Sequence, residues 1–403
     1  MNTLSHLTIL DLTHMLSGPY AGMLLADLGA HTIKIEPPEG EGTRKLLADS
    51  PDYSVDGMGA YFLTLNRNKQ SVCIDLKSVQ GLALFYELVK TADVVLNNFA
   101  RGVPERLKID HATLAAINPR IITCSITGFG ETGPDPDRPA FDIVAQGMGG
   151  GMSITGEEGG APMRAGIPIG DLGGGLFASI GVLSALSARS VSGKGQHVDI
   201  SMQDCQLSLL NYMATMHLMS GIVPGPMGNG HFVHVPYNTF RTRTRWIIVA
   251  CLGDAFFTNL ANMFGDERLQ NPEYATQPGR WAHRHDINQF VQENFDRDDC
   301  ENWLAKLKEF RIPAAPVNDF AHALGDPQAL ARQMVVDVPL ASGGSVKQPG
   351  NPVKLSAGGA ARYTAPPPLG HDTASVLRER LGLADDALAE LARLGIIRLP
   401  AAG

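Results

Sequence analysis

Cysteine is scarce in this chain. Its 403 residues include Cys73, Cys124, Cys205, Cys251 and Cys300, scattered singly and never as a C-x-x-C pair. A disulfide framework or a structural zinc site is excluded on that basis, and buried thiols in a reducing cytoplasm are expected. Basic clusters are absent too. With a net charge of −8 and no gathered Lys/Arg run, neither nucleic acid nor an anionic membrane surface is expected as the main partner. The opening Met1-Asn2-Thr3-Leu4-Ser5-His6 lacks the basic and apolar regions of a signal peptide. The helix-compatible run from Leu176 to Arg189 is the most apolar, and it is expected to fall short of a membrane span. Low-complexity tracts and internal repeats are missing. A well-packed globular protein, 44% apolar and 18% charged, remains, long enough for two domains.

Several catalytic signatures are missing as well. A dinucleotide fingerprint needs G-x-G-x-x-G after the first strand, but that turn reads Thr13-His14-Met15-Leu16-Ser17-Gly18-Pro19. Gly147-Met148-Gly149-Gly150-Gly151 has neither the spacing nor the context, and Gly193-Lys194-Gly195 lacks the Ser/Thr of a phosphate loop. NAD and ATP are therefore not expected as cofactors. The pairs His231/His234 and His283/His285 lack a third ligand nearby, so no metal is expected. No G-x-S-x-G supports serine hydrolysis.

What is present is alternation. Short β-rich runs (Leu7 to Leu12, His31 to Glu36, Ser71 to Leu76, Asp93 to Asn98, Ile121 to Ile126, Gln196 to Met202) alternate with helical segments. This pattern predicts an α/β fold with a Rossmann-like, largely parallel sheet covered on both faces. One long helix is expected from about Gln203 to Leu218. Pro and Gly enrichment around Gly221 to Gly230 marks a linker. The expected organisation is a large α/β domain over 1–224, a small α+β domain over 225–325, and a return segment over 326–403. The return segment should end in two helices, near Thr373–Leu381 and Asp385–Leu394.

The most telling residue is Asp171, in Ile167-Pro168-Ile169-Gly170-Asp171-Leu172-Gly173-Gly174-Gly175. A carboxylate framed by glycine leaves room for a bulky partner. Ahead of a helix it would lie where the dipole favours negative charge, and an ionised Asp can attack an activated acyl group. On this window alone an N-cap Asp in a glycine-rich turn is the simpler reading.

Set in order, the motifs settle the choice. They include Leu10-Asp11-Leu12 with Gly18-Pro19, Ile33-Lys34-Ile35-Glu36, Asn66-Arg67-Asn68-Lys69, Asn98-Phe99 and Ile126-Thr127-Gly128-Phe129-Gly130. Phe141-Asp142, Ile169-Gly170-Asp171, Gly193-Lys194-Gly195-Gln196, Ile312-Pro313-Ala314-Ala315-Pro316-Val317 and Leu369-Gly370-His371-Asp372-Thr373 follow. In this register, from about Leu7 to Ile397, the chain resembles the class III coenzyme A transferases, which include formyl-CoA transferase and carnitine CoA-transferase.

The resemblance implies that Asp171 is a covalent nucleophile carrying acyl and CoA groups in turn, with Gly173, Gly174 and Gly175 as oxyanion donors. It implies a CoA site formed by Leu16, Ser17, Ile74, Lys77, Asn98, Phe99, Ala100, Arg106, Phe141 and Asp142. Lys77 and Arg106 would meet phosphate, although either reads equally as solvated surface charge. Asn98 would bond the pantetheine arm and Phe99 would pack on it. CoA enters as substrate, with no tightly bound cofactor. An interlocked homodimer is implied, with an acyl-CoA (succinyl-CoA among the candidates) and a small carboxylic acid as partners. Formyl-CoA transferase carries glutamine at the Leu16 position and a glycine run where Met227-Gly228-Asn229-Gly230-His231 stands here. Those departures point away from formyl and oxalate, and make Asn229, His231 and His234 candidate acceptor contacts. The alternatives are an α-methylacyl-CoA racemase, whose family has His where Phe141 stands, and a non-catalytic acyl-CoA-binding protein.

Overall fold

The computed structural model describes residues 3–357 and 362–400. Its main sheet is built from β1 (Thr8–Asp11), β2 (His31–Glu36), β3 (Lys69–Ile74), β4 (Val94–Asn97), β5 (Ile122–Thr127) and β6 (His197–Ser201). These pair in parallel in the order 3-2-1-4-5-6. A seventh strand, Ile397–Arg398, lies antiparallel on β3 with Ile397 opposite Ile74. Strand order reverses between β1 and β4, so the loops leaving these strands diverge and open a crevice at their carboxyl ends.

Both faces of the sheet are covered. Leu10, Ile33, Val72 and Val95 pack with Phe85, Leu88, Val376, Leu377 and Leu388 on one side. The neighbouring positions Ile9, Val94, Leu96 and Cys124 pack with Ala21, Leu25, Ala178 and Val182 on the other. Successive side chains thus enter different cores, so the strands read as continuous apolar runs instead of alternating ones. Val376, Leu377 and Leu388 come from the carboxyl-terminal helices Thr373–Leu381 and Asp385–Arg393, which close the first of these cores.

The helices that carry the site are α1 (Ser17–Asp27), α2 (Asp142–Met148), α3 (Ile169–Ser192), α4 (Met202–Leu210) and α5 (Tyr212–Ser220). Two expectations need correction here. The helix expected from Leu176 begins at Ile169, and its 24 residues are long and apolar enough to cross a membrane by length and composition. Its buried positions, Gly173, Gly174, Gly175, Ala178, Val182 and Ala185 among them, nevertheless face protein as those of a core helix do. The single helix expected over Gln203 to Leu218 is two, because Asn211 takes φ 50° and ends α4. Asn tolerates positive φ better than most residues.

Contacts divide the chain into two compact units. The first comprises 1–151, 165–219 and 330–403, and the second comprises 152–164 and 220–329. The excursion at 152–164 has no compositional mark in the sequence. In the first unit the strands Val335–Pro339 and Ser345–Pro349 form a hairpin that the sequence pattern does not reveal. Of the part of the return segment beyond it, residues 358–361 lie outside the described residues. The second unit is an antiparallel sheet of Ala314–Pro316, Trp246–Ala250 and Tyr237–Arg241. Helices Asp254–Phe264, Arg284–Phe295 and Cys300–Glu309 supply much of its core around Phe240, Val249, Leu260, Phe295 and Trp303.

Candidate active site

Asp171 is the third residue of α3, so the N-cap reading fails: Pro168 occupies the cap position. The cap's work is done from outside the helix. Asp142, at the start of α2, accepts the backbone N–H groups of Gly170 at 2.8 Å and Asp171 at 3.2 Å through one oxygen. Its other oxygen accepts Gln146 Nε2 at 2.7 Å, while Gln146 Oε1 accepts the N–H of Ala165. The Asp171 carboxylate is left half-buried and accepts no hydrogen bond among the described residues. Burial, and then the charge of Asp142, push its pKa up from 3.8 to about 6. Desolvation and a like charge both disfavour the ionised form. The helix terminus does not offset them, since Asp142 already occupies its free N–H groups.

The glycines behind Asp171 have a different job from the one expected. Being interior helical residues, their N–H groups are bonded within α3 and are unavailable to an oxyanion. They permit close approach. A Cβ on Gly175 would sit 2.6 Å from Ser17 O and 2.9 Å from Tyr20 Cδ1, and one on Gly174 would meet Ile126 and Met202 at 3.3 Å. Gly175 lies one turn beyond Asp171 on the same face, so the start of α1, with Leu16 and Ser17, is drawn beside the carboxylate. Tyr61 also belongs to this neighbourhood. Burial and the charges of Asp171, Glu41 and Asp142 push its phenol to about 12, so it remains an O–H donor. Nothing in Ala60-Tyr61-Phe62-Leu63 marks it in the sequence.

The loop joining β1 to α1 connects Asp171 to a cleft of about 420 Å³ at the carboxyl ends of β1, β2 and β3. His14 and Met15 from this loop line it, together with Ile35, Ile74, Lys77, Phe99 and Leu107. A buried ionic brace holds the loop: Lys69 Nζ lies 2.8 Å from Asp11 Oδ2, and Lys34 Nζ donates to Thr13 O at 2.8 Å. Burial lowers the Lys69 pKa to about 8, although Asp11 opposes it. Asn98 does not offer its amide to the cleft. Its Oδ1 accepts His14 N–H at 2.9 Å and its Nδ2 donates to His14 O at 2.7 Å, which locks the β1 loop to the β4 loop.

Of the other expected CoA residues, Ile74, Lys77 and Phe99 share the cleft. Ala100 and Arg106 are exposed near it, Arg106 on the short helix Val103–Leu107 whose Leu107 lines the cleft. Phe141 is 70% exposed beside Asp142 and belongs with the Asp171 group. Asn229, His231 and His234 fall together in the second unit, around a separate cleft of about 400 Å³. There His231 Nδ1 accepts the N–H groups of Val233 and His234, and Asn229 donates to Thr239 Oγ1 at 2.9 Å. Two of the three are thus engaged in holding their own loop.

Residues 4–373 match the family model described as CoA-transferase family III. The chain belongs to that family. It is 36% identical over 381 residues to the succinate–glutarate CoA-transferase of Agrobacterium fabrum, covering 93% of this chain and 95% of the relative. It is 37% identical over 353 residues to the acetyl-CoA:oxalate CoA-transferase of Acetobacter aceti, covering 87% of this chain and 88% of the relative. Among solved structures, a CAIB/BAIF family protein from Brucella suis superposes with TM-score 0.84 and 36% identity, covering 94% of this chain and all of that one. The protein is therefore an enzyme that transfers CoA, with CoA thioesters as substrates.

Proposed function

We propose that this enzyme moves CoA from an acyl-CoA to a small carboxylic acid by carrying both groups in turn on Asp171. The observation that carries the proposal is the carboxylate itself, half-buried, free of hydrogen bonds among the described residues and raised to about 6. Above that pH it is ionised yet poorly stabilised, which is what a carboxylate nucleophile needs. An Asp171 oxygen attacks the thioester carbonyl, the C–S bond breaks, and CoA leaves as thiolate with the bonding pair. The resulting mixed anhydride is then attacked at the Asp171 carbonyl by that thiolate, releasing the donor acid and leaving an aspartyl-CoA thioester. The acceptor carboxylate runs the same two steps in reverse. Acylation removes the charge of Asp171, so the repulsion from Asp142 is relieved as the bond forms. The half-burial of Asp171 limits access of water, which would otherwise hydrolyse both intermediates.

On this reading the cleft with Ile74, Lys77 and Phe99 takes part of CoA, Lys77 and Arg106 meet its phosphates, and Leu16 and Ser17 flank the thioester. Succinyl-CoA as donor and a small dicarboxylic acid as acceptor are favoured by the relatives' names, glutarate and oxalate both being dicarboxylates. A homodimer in a reducing cytoplasm completes the reading, supported by five buried, unpaired thiols for the compartment.

The test is chemical. Enzyme mixed with acyl-CoA alone and quenched with hydroxylamine should yield a hydroxamate on the peptide containing Asp171, seen by mass. Asp171→Asn should lack it and lose transfer by about a thousandfold or more. Undiminished transfer by the Asn variant would refute the proposal.

A further inference from the structure

The cleft of the second unit holds unused binding capacity. Three buried side-chain polar atoms among the described residues lack a hydrogen-bond partner: Asp11 Oδ2, His234 Nδ1 and Asn288 Oδ1. Asp11 Oδ2 lies 2.8 Å from the Lys69 ammonium and so has its counter-charge. The residues that carry the other two, His234 and Asn288, line this one cleft, where Arg284 joins them. The Arg284 guanidinium lies 4.7 Å over the ring of Trp281, and Nη1 donates only a long bond of 3.4 Å to Trp281 O.

Four residues earlier the contrast is complete. Arg280 is fully buried and donates to Asp254, Gln277, Tyr274 O and Val235 O. Arg280 is therefore part of the framework, whereas the half-buried Arg284 has no carboxylate partner among the described residues. A stacked guanidinium is held flat with its edge free, the arrangement that receives a carboxylate through two parallel bonds. Beside it, His234 in its Nδ1–H tautomer donates one more bond, and Asn288 another with its amide turned so that nitrogen faces the cleft. The acids of the lining, Glu157 and Glu158, are exposed, so solvent screens them; they still disfavour a polyanion such as a pyrophosphate.

We propose that the second unit contains a binding site for the carboxylate of a small organic acid, formed by Arg284 stacked on Trp281 with His234 and Asn288. The identity of that acid rests on the transferase reading: it is the acceptor. Of the three expected acceptor contacts, His234 is the one with a buried side-chain nitrogen that lacks a partner among the described residues, and Arg284 and Asn288 were not apparent from sequence spacing.

Full-length protein should be titrated with glutarate and with butyrate, following tryptophan fluorescence, since Trp246 and Trp281 both line the cleft. Calorimetry supplies the affinity. Using the Asp171→Asn variant for the titration keeps chemistry out of the measurement. Saturable glutarate binding is expected, weakened about 10- to 100-fold by Arg284→Gln and less by Arg284→Lys. In otherwise wild-type enzyme, Arg284→Gln should raise the acceptor KM and leave the acyl-CoA KM unchanged. Asn288→Asp, which sets a carboxylate against the anion, should weaken binding as well. Absence of saturable binding by either acid, or equal affinity in Arg284→Gln, overturns the site. Weakened binding with an unchanged acceptor KM overturns its assignment to the acceptor. If Asp171→Asn still transfers CoA, the covalent mechanism falls while the titration continues to judge the site.

Discussion

A single carboxyl group, Asp171, is acted on by two effects that push the same way. Its pKa rises from 3.8 to about 6 through burial first and Asp142 second. In the proposed mechanism the ionised form is the nucleophile, so kcat/KM for the acyl-CoA donor should climb with pH through an inflection near 6, measured in single-turnover or steady-state assays. Asp142→Asn keeps an oxygen for the N–H groups of Gly170 and Asp171 while removing the like charge. That variant should move the inflection toward lower pH but not as far as 3.8, since burial remains. An inflection unmoved by Asp142→Asn would show that the pair does not interact. The same shift affects stability. A carboxyl that holds its proton more tightly when folded favours folding below pH 4, and this contribution is lost as pH rises through 6. At pH 7 the ionised group therefore costs about 1–3 kcal/mol, reduced by its partial exposure. Asp171→Asn should accordingly raise Tm at pH 7 and leave it nearly unchanged at pH 4, even as transfer is lost.

At the scale of elements, the site depends on how closely α3 approaches α1. Gly175→Ala would drive a methyl group to 2.6 Å from Ser17 O, a backbone atom with little freedom to move. We expect a loss of about 1–3 kcal/mol in urea unfolding, with poorer donor kcat/KM because the loop carrying Leu16 and Ser17 shifts. Gly225→Ala, with nothing within 4 Å, should be near neutral, and equal effects at the two positions would discredit the packing argument. These contacts also explain what the sequence could and could not reveal. The alternation of apolar runs and helices predicted the parallel sheet, because two-sided burial is written into each strand. Recognised motifs predicted the importance of Asn66-Arg67-Asn68-Lys69 without its reason. Arg67 pairs with Asp27 and Lys69 with Asp11, so the motif supports the framework instead of touching ligand. Asn98 likewise braces His14. The helix start at Ile169 was missed because Gly170 and Gly173 to Gly175 read as a loop; only their contacts with α2, α4, β5 and, for Gly175, α1 favour glycine there. Tyr61, Arg284 and Asn288 were invisible because their roles arise from neighbours distant in sequence.

For the whole molecule, the decisive feature is an apolar surface that the first unit leaves open. On α3, Leu176, Ile180 and Leu183 follow one another at the spacing of a helical stripe, on a face distinct from the buried glycines. Leu207, Leu209, Tyr212 and Met216 extend the exposure along α4 and α5, where Leu218 and Met219 are more than 80% accessible. An apolar stripe continued over adjoining helices is the kind of surface that a partner covers, and covering it with a second copy follows the commonest rule of assembly. The expected outcome is a sedimenting mass of twice 43.1 kDa at micromolar concentration. Ile180→Arg, placed at the middle of the stripe and 58% exposed, should weaken the dimer without disturbing the core of the first unit. If the wild-type chain sedimented at 43.1 kDa and remained fully active, that surface would need another explanation. A dimer unaffected by Ile180→Arg would move the interface away from α3, because burying an unpaired guanidinium in an apolar contact is strongly unfavourable.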